Sequence, residues 1–207
     1  MRVVIPFAPH DPKTRLSEIL TSDERYAFAK VMLEDVTIAV ENAGLIPEIL
    51  STEIIESQWK VIVDDRPLSV AVNSVLENSK MPMAIVMSDL AIATAESIRK
   101  LIESEGEISI VPGNLGGTNA FVTHREDFRV DYHGTSYLDH VKIAEDIGVN
   151  VTEVDSFRLA TDIDVKEDLI EVLIHGKGKS RDWLIENGFH LEVHGKNRVG
   201  IHRREKR

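Results

Sequence analysis

Lys13 and Arg15 stand two residues apart in a polar stretch, His10-Asp11-Pro12-Lys13-Thr14-Arg15, directly after the apolar run Val3-Val4-Ile5. Two cations so spaced can hold a phosphate-bearing ligand, the Arg as a bidentate fork and the Lys as a point charge. On these residues alone a solvated turn is the simpler reading. Asp89 lies just past the apolar stretch Met83 to Met87. A carboxylate there either caps the next helix or, with a second carboxylate and phosphate oxygens, holds a hard cation such as Mg²⁺. The second acidic group is Asp162-Ile163-Asp164 with Glu167-Asp168. Asp164, three residues before Glu167, fits a capping box for the following helix. Asp162 has no such duty and is the better second ligand beside Asp89; Asp164 stays in the candidate set. Asp168 falls on a solvated helix face.

Two further stretches could receive an anion. In Gly116-Gly117-Thr118-Asn119, adjacent glycines let backbone N–H groups approach a ligand closely, and Thr118 and Asn119 add side-chain hydrogen bonds. His133-Gly134-Thr135-Ser136 precedes a helix, whose first N–H groups, with Ser136, form an anion site. A plain N-cap would use the same residues, and the two roles are compatible. The C-terminal histidines His190, His194 and His202 fall on one face of an expected hairpin turning at Gly195-Lys196-Asn197, with Phe189, Leu191, Val193, Val199 and Ile201 on the other. Zinc is conceivable there, but the alternation already makes them a polar outer face. Arg203 to Arg207 reads as a frayed tail.

The elements that must position these groups alternate. Strands are expected at Val3–Ile5, Ile46–Leu50, Trp59–Val63, Met83–Met87 and Ile108–Val111, with helices over 23–42, 68–79 and 94–104 between them. This is the pattern of βαβ units and a mostly parallel sheet. In such a sheet ligands bind outside the carboxyl ends of the strands. The loop after Ile5, the Asp64-Asp65 turn, Asp89 and the Gly113–Asn119 loop therefore share one rim. Beyond residue 111 strands are expected at 121–123, 128–132 and 149–154, and helices at 137–147, 165–174 and 181–186.

The 207 residues suffice for one sizeable α/β domain. A net charge of −11 argues against non-specific nucleic-acid binding, so an anionic ligand needs a local cluster of cations. The chain has no cysteine, which excludes disulfides, thiolate metal sites and a cysteine nucleophile. No apolar run approaches the length of a membrane span, and the N-terminus lacks the features of a secretory signal. No membrane partner and a cytoplasmic location are expected.

Together, Pro12-Lys13-Thr14-Arg15-Leu16-Ser17 with Glu24-Arg25, Ser88-Asp89-Leu90, Gly116-Gly117-Thr118-Asn119-Ala120, His133-Gly134-Thr135-Ser136-Tyr137 with His140, and Asp162-Ile163-Asp164 with Glu167-Asp168-Leu169 resemble the 2-phospho-L-lactate guanylyltransferase family. That family belongs to the nucleotidyltransferase fold group that includes the molybdenum-cofactor guanylyltransferases. The resemblance covers roughly residues 1–174, an expected nucleotidyltransferase domain, with 175–207 as an extension packed on it. It implies a doubly wound α/β fold with a mostly parallel sheet of the nucleotide-diphospho-sugar transferase type, carrying a C-terminal helix and β-hairpin. It also implies Mg²⁺, often a homodimer, and one reaction: GTP and 2-phospho-L-lactate give lactyl-2-diphospho-5'-guanosine and pyrophosphate, a step in making coenzyme F(420). Lys13 and Arg15 would sit on the β and γ phosphates with Arg25 assisting. Asp89 with Asp162 or Asp164 would bind the metal. Thr118, Gly134 and Ser136 would hold the phosphorylated acid, with Asn119 beside them. Related bacterial enzymes take phosphoenolpyruvate, which is the first alternative; a non-catalytic nucleotide-binding protein is the second. The chain departs from the family pattern at Ala91 (often Pro), Val165 (usually Thr) and His133 (more commonly Phe before the Gly).

Overall fold

The N-terminal apolar run forms β1 (Arg2–Phe7) in the computed structural model, which describes residues 1–193 and 199–204. There follow α1 (Ser22–Asn42), β2 (Ile46–Ser51), β3 (Lys60–Val63), α2 (Leu68–Glu77), β4 (Met83–Val86), α3 (Ala95–Ile102), β5 (Ile108–Pro112), β6 (Thr118–Thr123), α4 (Ser136–Asp146), β7 (Val151–Glu153), α5 (Phe157–Ala160), α6 (Asp168–His175), α7 (Lys179–Glu186), β8 (Phe189–Val193) and β9 (Val199–Arg203).

The first seven strands form one sheet in the order β3-β2-β1-β4-β6-β5-β7. All neighbours pair in parallel except β6, which runs antiparallel to both β4 and β5. The reversed strand brings its N-terminal end, Thr118, to the rim where β1, β4 and β5 end. Successive strand residues bury opposite faces. Val3, Ile5, Ala84, Val86 and Val122 pack with α1, α3, α6 and α7, while Val4, Met83, Ile85, Ile110 and Phe121 pack with α2 and α4. Helices thus cover both faces, as a sheet buried on both sides requires.

The C-terminal elements dock on α1. Asp35 accepts the N–H groups of Lys179 and Ser180 at 2.7 and 2.8 Å, filling the N-terminus of α7. Phe28 and Trp183 touch with ring centroids 5.2 Å apart. Arg203, expected in a frayed tail, is held instead. It donates to the carbonyl of Ile19 at 2.8 Å, pairs with Glu24, and lies over the Phe189 ring. His190 faces His202 across the hairpin, on the side opposite Phe189. The expected turn at Gly195-Lys196-Asn197 and His194 lie outside the described residues. No helix among the described residues is long and apolar enough to cross a membrane.

One expected strand does not form. Phe128 and Val130 are buried as the alternation predicts, but 128–132 pairs with no strand. Its backbone is satisfied by side chains instead: Asn73 clamps both polar groups of Val130 at 2.8 and 2.9 Å, Ser69 accepts from Tyr132 N–H at 2.8 Å, and His140 accepts from Asp131 N–H at 3.0 Å.

Candidate active site

The loop after β1 is strained on purpose-shaped ground: Asp11 and Lys13 both have positive φ, 42° and 54°, an uncommon conformation for residues with a Cβ. Arg25 in the first turns of α1 holds it there. Its Nε donates to the carbonyl of Pro12 at 3.1 Å and its guanidinium pairs with Asp11. The buried guanidinium is thus engaged with the loop that carries Lys13 and Arg15. Asp11, for which the sequence offered no role, is its partner. Leu16, fully buried, anchors the other end of the loop.

So placed, the Lys13 ammonium lies 2.6 Å from Asp89 Oδ2 and 2.7 Å from Asp164 Oδ1. Burial alone would push it below the ordinary lysine value, but the two carboxylates outweigh that and hold it above. Arg15, its side chain 70% exposed, reaches Asp164 Oδ2 at 3.2 Å. A cavity of about 280 Å³ opens here, walled by Phe7, Pro12, Lys13, Arg15, Ser88 and Asp89. A second of about 530 Å³, with Leu50, Asp64, Asp65, Pro67 and Met87 on its wall, shares Phe7 and Ala8 with the first. The loop after β1, the Asp64-Asp65 turn and Asp89 thus share one rim, as the strand order predicts.

Asp164 does not cap a helix. α6 starts later, with Glu167 at its N-cap position and no side-chain cap bond. Asp168 reaches back instead and accepts the N–H groups of Asp164 and Val165, both at 2.8 Å. The residue assigned to a solvated face thus fixes the loop that presents Asp164 to Lys13. Ile163 N–H donates to the carbonyl of Asp89 at 3.2 Å, tying that loop to the end of β4.

Asp162 sits against β6. The register of β5 and β6 slips between Val111/Pro112, so that Asn119 is an extra residue in its strand. Such a bulge re-aims the flanking side chains. Asn119 points at Asp162 (3.2 Å) and the carbonyl of Leu159 (3.0 Å). Its amide nitrogen is thus engaged with the protein. Burial, and then the nearby charge of Asp89, push the Asp162 carboxyl above the usual range. Asp89 Oδ1 is buried with no hydrogen-bond partner. An orphaned carboxylate oxygen beside a second carboxyl short of compensation is a donor set suited to a divalent cation. Among the described residues no three His, Cys, Asp or Glu side chains gather into a complete cage.

Thr118 and Ser136, expected to hold the phosphorylated acid, are both buried. The glycine loop and the start of α4 are neighbours, since a Cβ on Gly116 would lie 3.9 Å from Thr135 Cα. Ser136 begins α4, and its N-cap residue Thr135 supplies no capping bond. Gly134 has open space on its Cβ side. Thr118 Oγ1 lies 2.9 Å from His140 Nδ1. His140 was legible only as a motif residue, although its position four after Ser136 puts the two on one helix face.

Comparisons with known proteins bear on the family and the fold. A family model described as "Guanylyl transferase CofC like" matches residues 1–204, well past the last motif near residue 174. A 2-phospho-L-lactate guanylyltransferase of Halomicrobium mukohataei is 52% identical over 193 residues, 93% of this chain and 95% of that one. One of Natronomonas pharaonis is 49% identical over 200 residues, 96% of this chain and 98% of that one. Among solved structures, one described as a nucleotide-diphospho-sugar transferase from Desulfovibrio desulfuricans G20 superposes with a TM-score of 0.75 at 14% identity, covering 90% of this chain and 94% of that one. A nucleotidyl transferase from Methanothermobacter does so at 0.59 and 15% identity, covering 90% of this chain and 99% of that one. At such identities these structures speak for the fold.

Proposed function

The chain belongs to the CofC-like guanylyl transferase family, and from that premise we propose that it joins GTP to 2-phospho-L-lactate, giving lactyl-2-diphospho-5'-guanosine and pyrophosphate for coenzyme F(420) synthesis. The observation that carries this is the Lys13 ammonium held between Asp89 and Asp164 on the wall of a cavity at the sheet's carboxyl rim. A phosphate oxygen of the acid attacks the α-phosphorus of GTP. The new P–O bond forms as the bond from the α-phosphorus to the bridging oxygen breaks, and that oxygen leaves with pyrophosphate. Positioning and charge stabilisation dominate such transfers. Lys13 and Arg15 take the β and γ phosphates and neutralise the leaving group. Asp164 keeps both cations aimed at that place. Asp89 and Asp162 would hold Mg²⁺, which would supply positive charge to offset that of the phosphates. The larger neighbouring cavity accepts guanine, with the Asp65 carboxylate able to accept from its N–H edge. Thr118, Ser136 and the backbone at Gly134 receive the phosphorylated acid at the start of α4. A homodimer, which the family resemblance implies, and a cytoplasmic location complete the reading.

Pyrophosphate release from GTP and Mg²⁺ with each acid tests it. Release with 2-phospho-L-lactate well above that with phosphoenolpyruvate is the expected result. The reverse order would move the assignment to phosphoenolpyruvate, and GTP binding with no release under any acid would make the protein a non-catalytic binder.

A further inference from the structure

His140 is completely buried on α4, and both ring nitrogens are engaged. The N–H of Asp131, which can only donate, points at Nε2 from 3.0 Å. Nε2 therefore carries the lone pair, and the neutral ring has its hydrogen on Nδ1. Burial favours that neutral ring. Phe121, Phe128 and Tyr132 meet the ring edge-on at 5.0–6.4 Å between centroids and fix its plane. The Nδ1–H then donates to Thr118 Oγ1 at 2.9 Å. With that oxygen accepting from the histidine, its own hydrogen has no acceptor among the described residues. Thr118 thus meets α4 at His140, one helical turn after Ser136 at the start of that helix.

We propose that His140 is a positioning residue that makes Thr118 a committed hydrogen-bond donor to an anionic oxygen of the phosphorylated acid. An anionic oxygen can only accept, and a hydroxyl free to rotate is a poorer partner than one already oriented. The inference deepens the reading in which Thr118 holds the acid and rests on it.

The test is the KM for 2-phospho-L-lactate and for GTP in four variants. Thr118→Val removes the donor and should raise the acid KM by about tenfold or more, leaving the GTP KM alone. His140→Gln fills the Nε2 end of the ring and leaves the Nδ1 position empty, and should raise the acid KM by about three- to thirtyfold. His140→Asn restores an N–H near Nδ1 and should stay within about threefold of the native enzyme. The double variant T118V/H140Q should be no worse than T118V. An unchanged acid KM in T118V would overturn the assignment of Thr118 itself. A raised KM in T118V with a native value in H140Q, or additive effects in the double variant, would overturn the role of His140 alone. Nitrogen NMR of the native imidazole at neutral pH needs no variant to fold: a ring protonated on Nδ1 alone is expected, and a hydrogen on Nε2 refutes the inference.

Discussion

Gly113→Ala tests whether the position of Asp162 depends on Asn119. A Cβ on Gly113 would lie 2.2 Å from Asn119 Oδ1 and 2.7 Å from its Cγ. Ordinary contact begins near 3.4 Å, so the amide must retreat by about 1.2 Å. Its hydrogen bonds to Leu159 and Asp162 start at 3.0 and 3.2 Å, and a retreat of that size breaks them. Leaving a buried amide unpaired costs about 1–3 kcal/mol, which for a chain of this size lowers the midpoint of thermal unfolding by roughly 2–12 °C. Asp162 loses the one side-chain bond that holds its carboxyl down, so its pKa rises further and the acid limb of turnover moves to higher pH. Misplacing a group that supports a metal ligand costs about 10- to 100-fold in activity or metal affinity. Differential scanning calorimetry and the pH profile of pyrophosphate release read these effects. A native midpoint with turnover within twofold and an unmoved acid limb would refute the link from Gly113 through Asn119 to Asp162.

Gly134→Ala is the complementary case: nothing lies within 4 Å of the added Cβ, so the unfolding midpoint should not move, while a raised KM for the acid, by assay with GTP saturating, would place its backbone at the substrate. Folding stability should fall as pH drops from about 6.5 toward 4, because burial pushes His140 down to about 4 from its ordinary value of 6.5. The unfolded chain takes up that proton first and is favoured. His140→Asn should flatten this part of the stability curve in urea titrations.

Much of the scaffold was legible because the strands are short apolar runs and the helices carry a 3.6-residue rhythm. Val3–Ile5 and Met83–Val86 could hardly be anything but buried strands, and their ends fixed the rim on which Lys13 and Asp89 meet. What failed was long-range pairing. The alternation at Phe128 and Val130 correctly marked buried side chains, but Asn73, far away in sequence, satisfies the backbone that a strand neighbour would have paired. Asp164 looked like a cap because the local spacing to Glu167 allowed it. Its actual partner is Lys13, 151 residues away, and Asp168 took up the local backbone groups instead. Arg25 has an assisting part at the phosphates by the family resemblance alone. No local pattern announced that it also braces a loop with two residues at positive φ. Of the proposed acid-binding group, the sequence marked Thr118, Gly134 and Ser136, while the contact of Thr118 with His140, 22 residues away, is one that no local pattern announces.

The central claim is that the centre formed by Lys13, Asp89, Asp162 and Asp164 carries out guanylyl transfer. The most direct test is the single-turnover rate of product formation by Asp89→Asn with saturating GTP, 2-phospho-L-lactate and Mg²⁺. The side chain keeps its shape and loses its charge, and Lys13 retains Asp164. A fall of about 10²–10³-fold at an unchanged unfolding midpoint is predicted; a rate within threefold of the native enzyme would contradict the account.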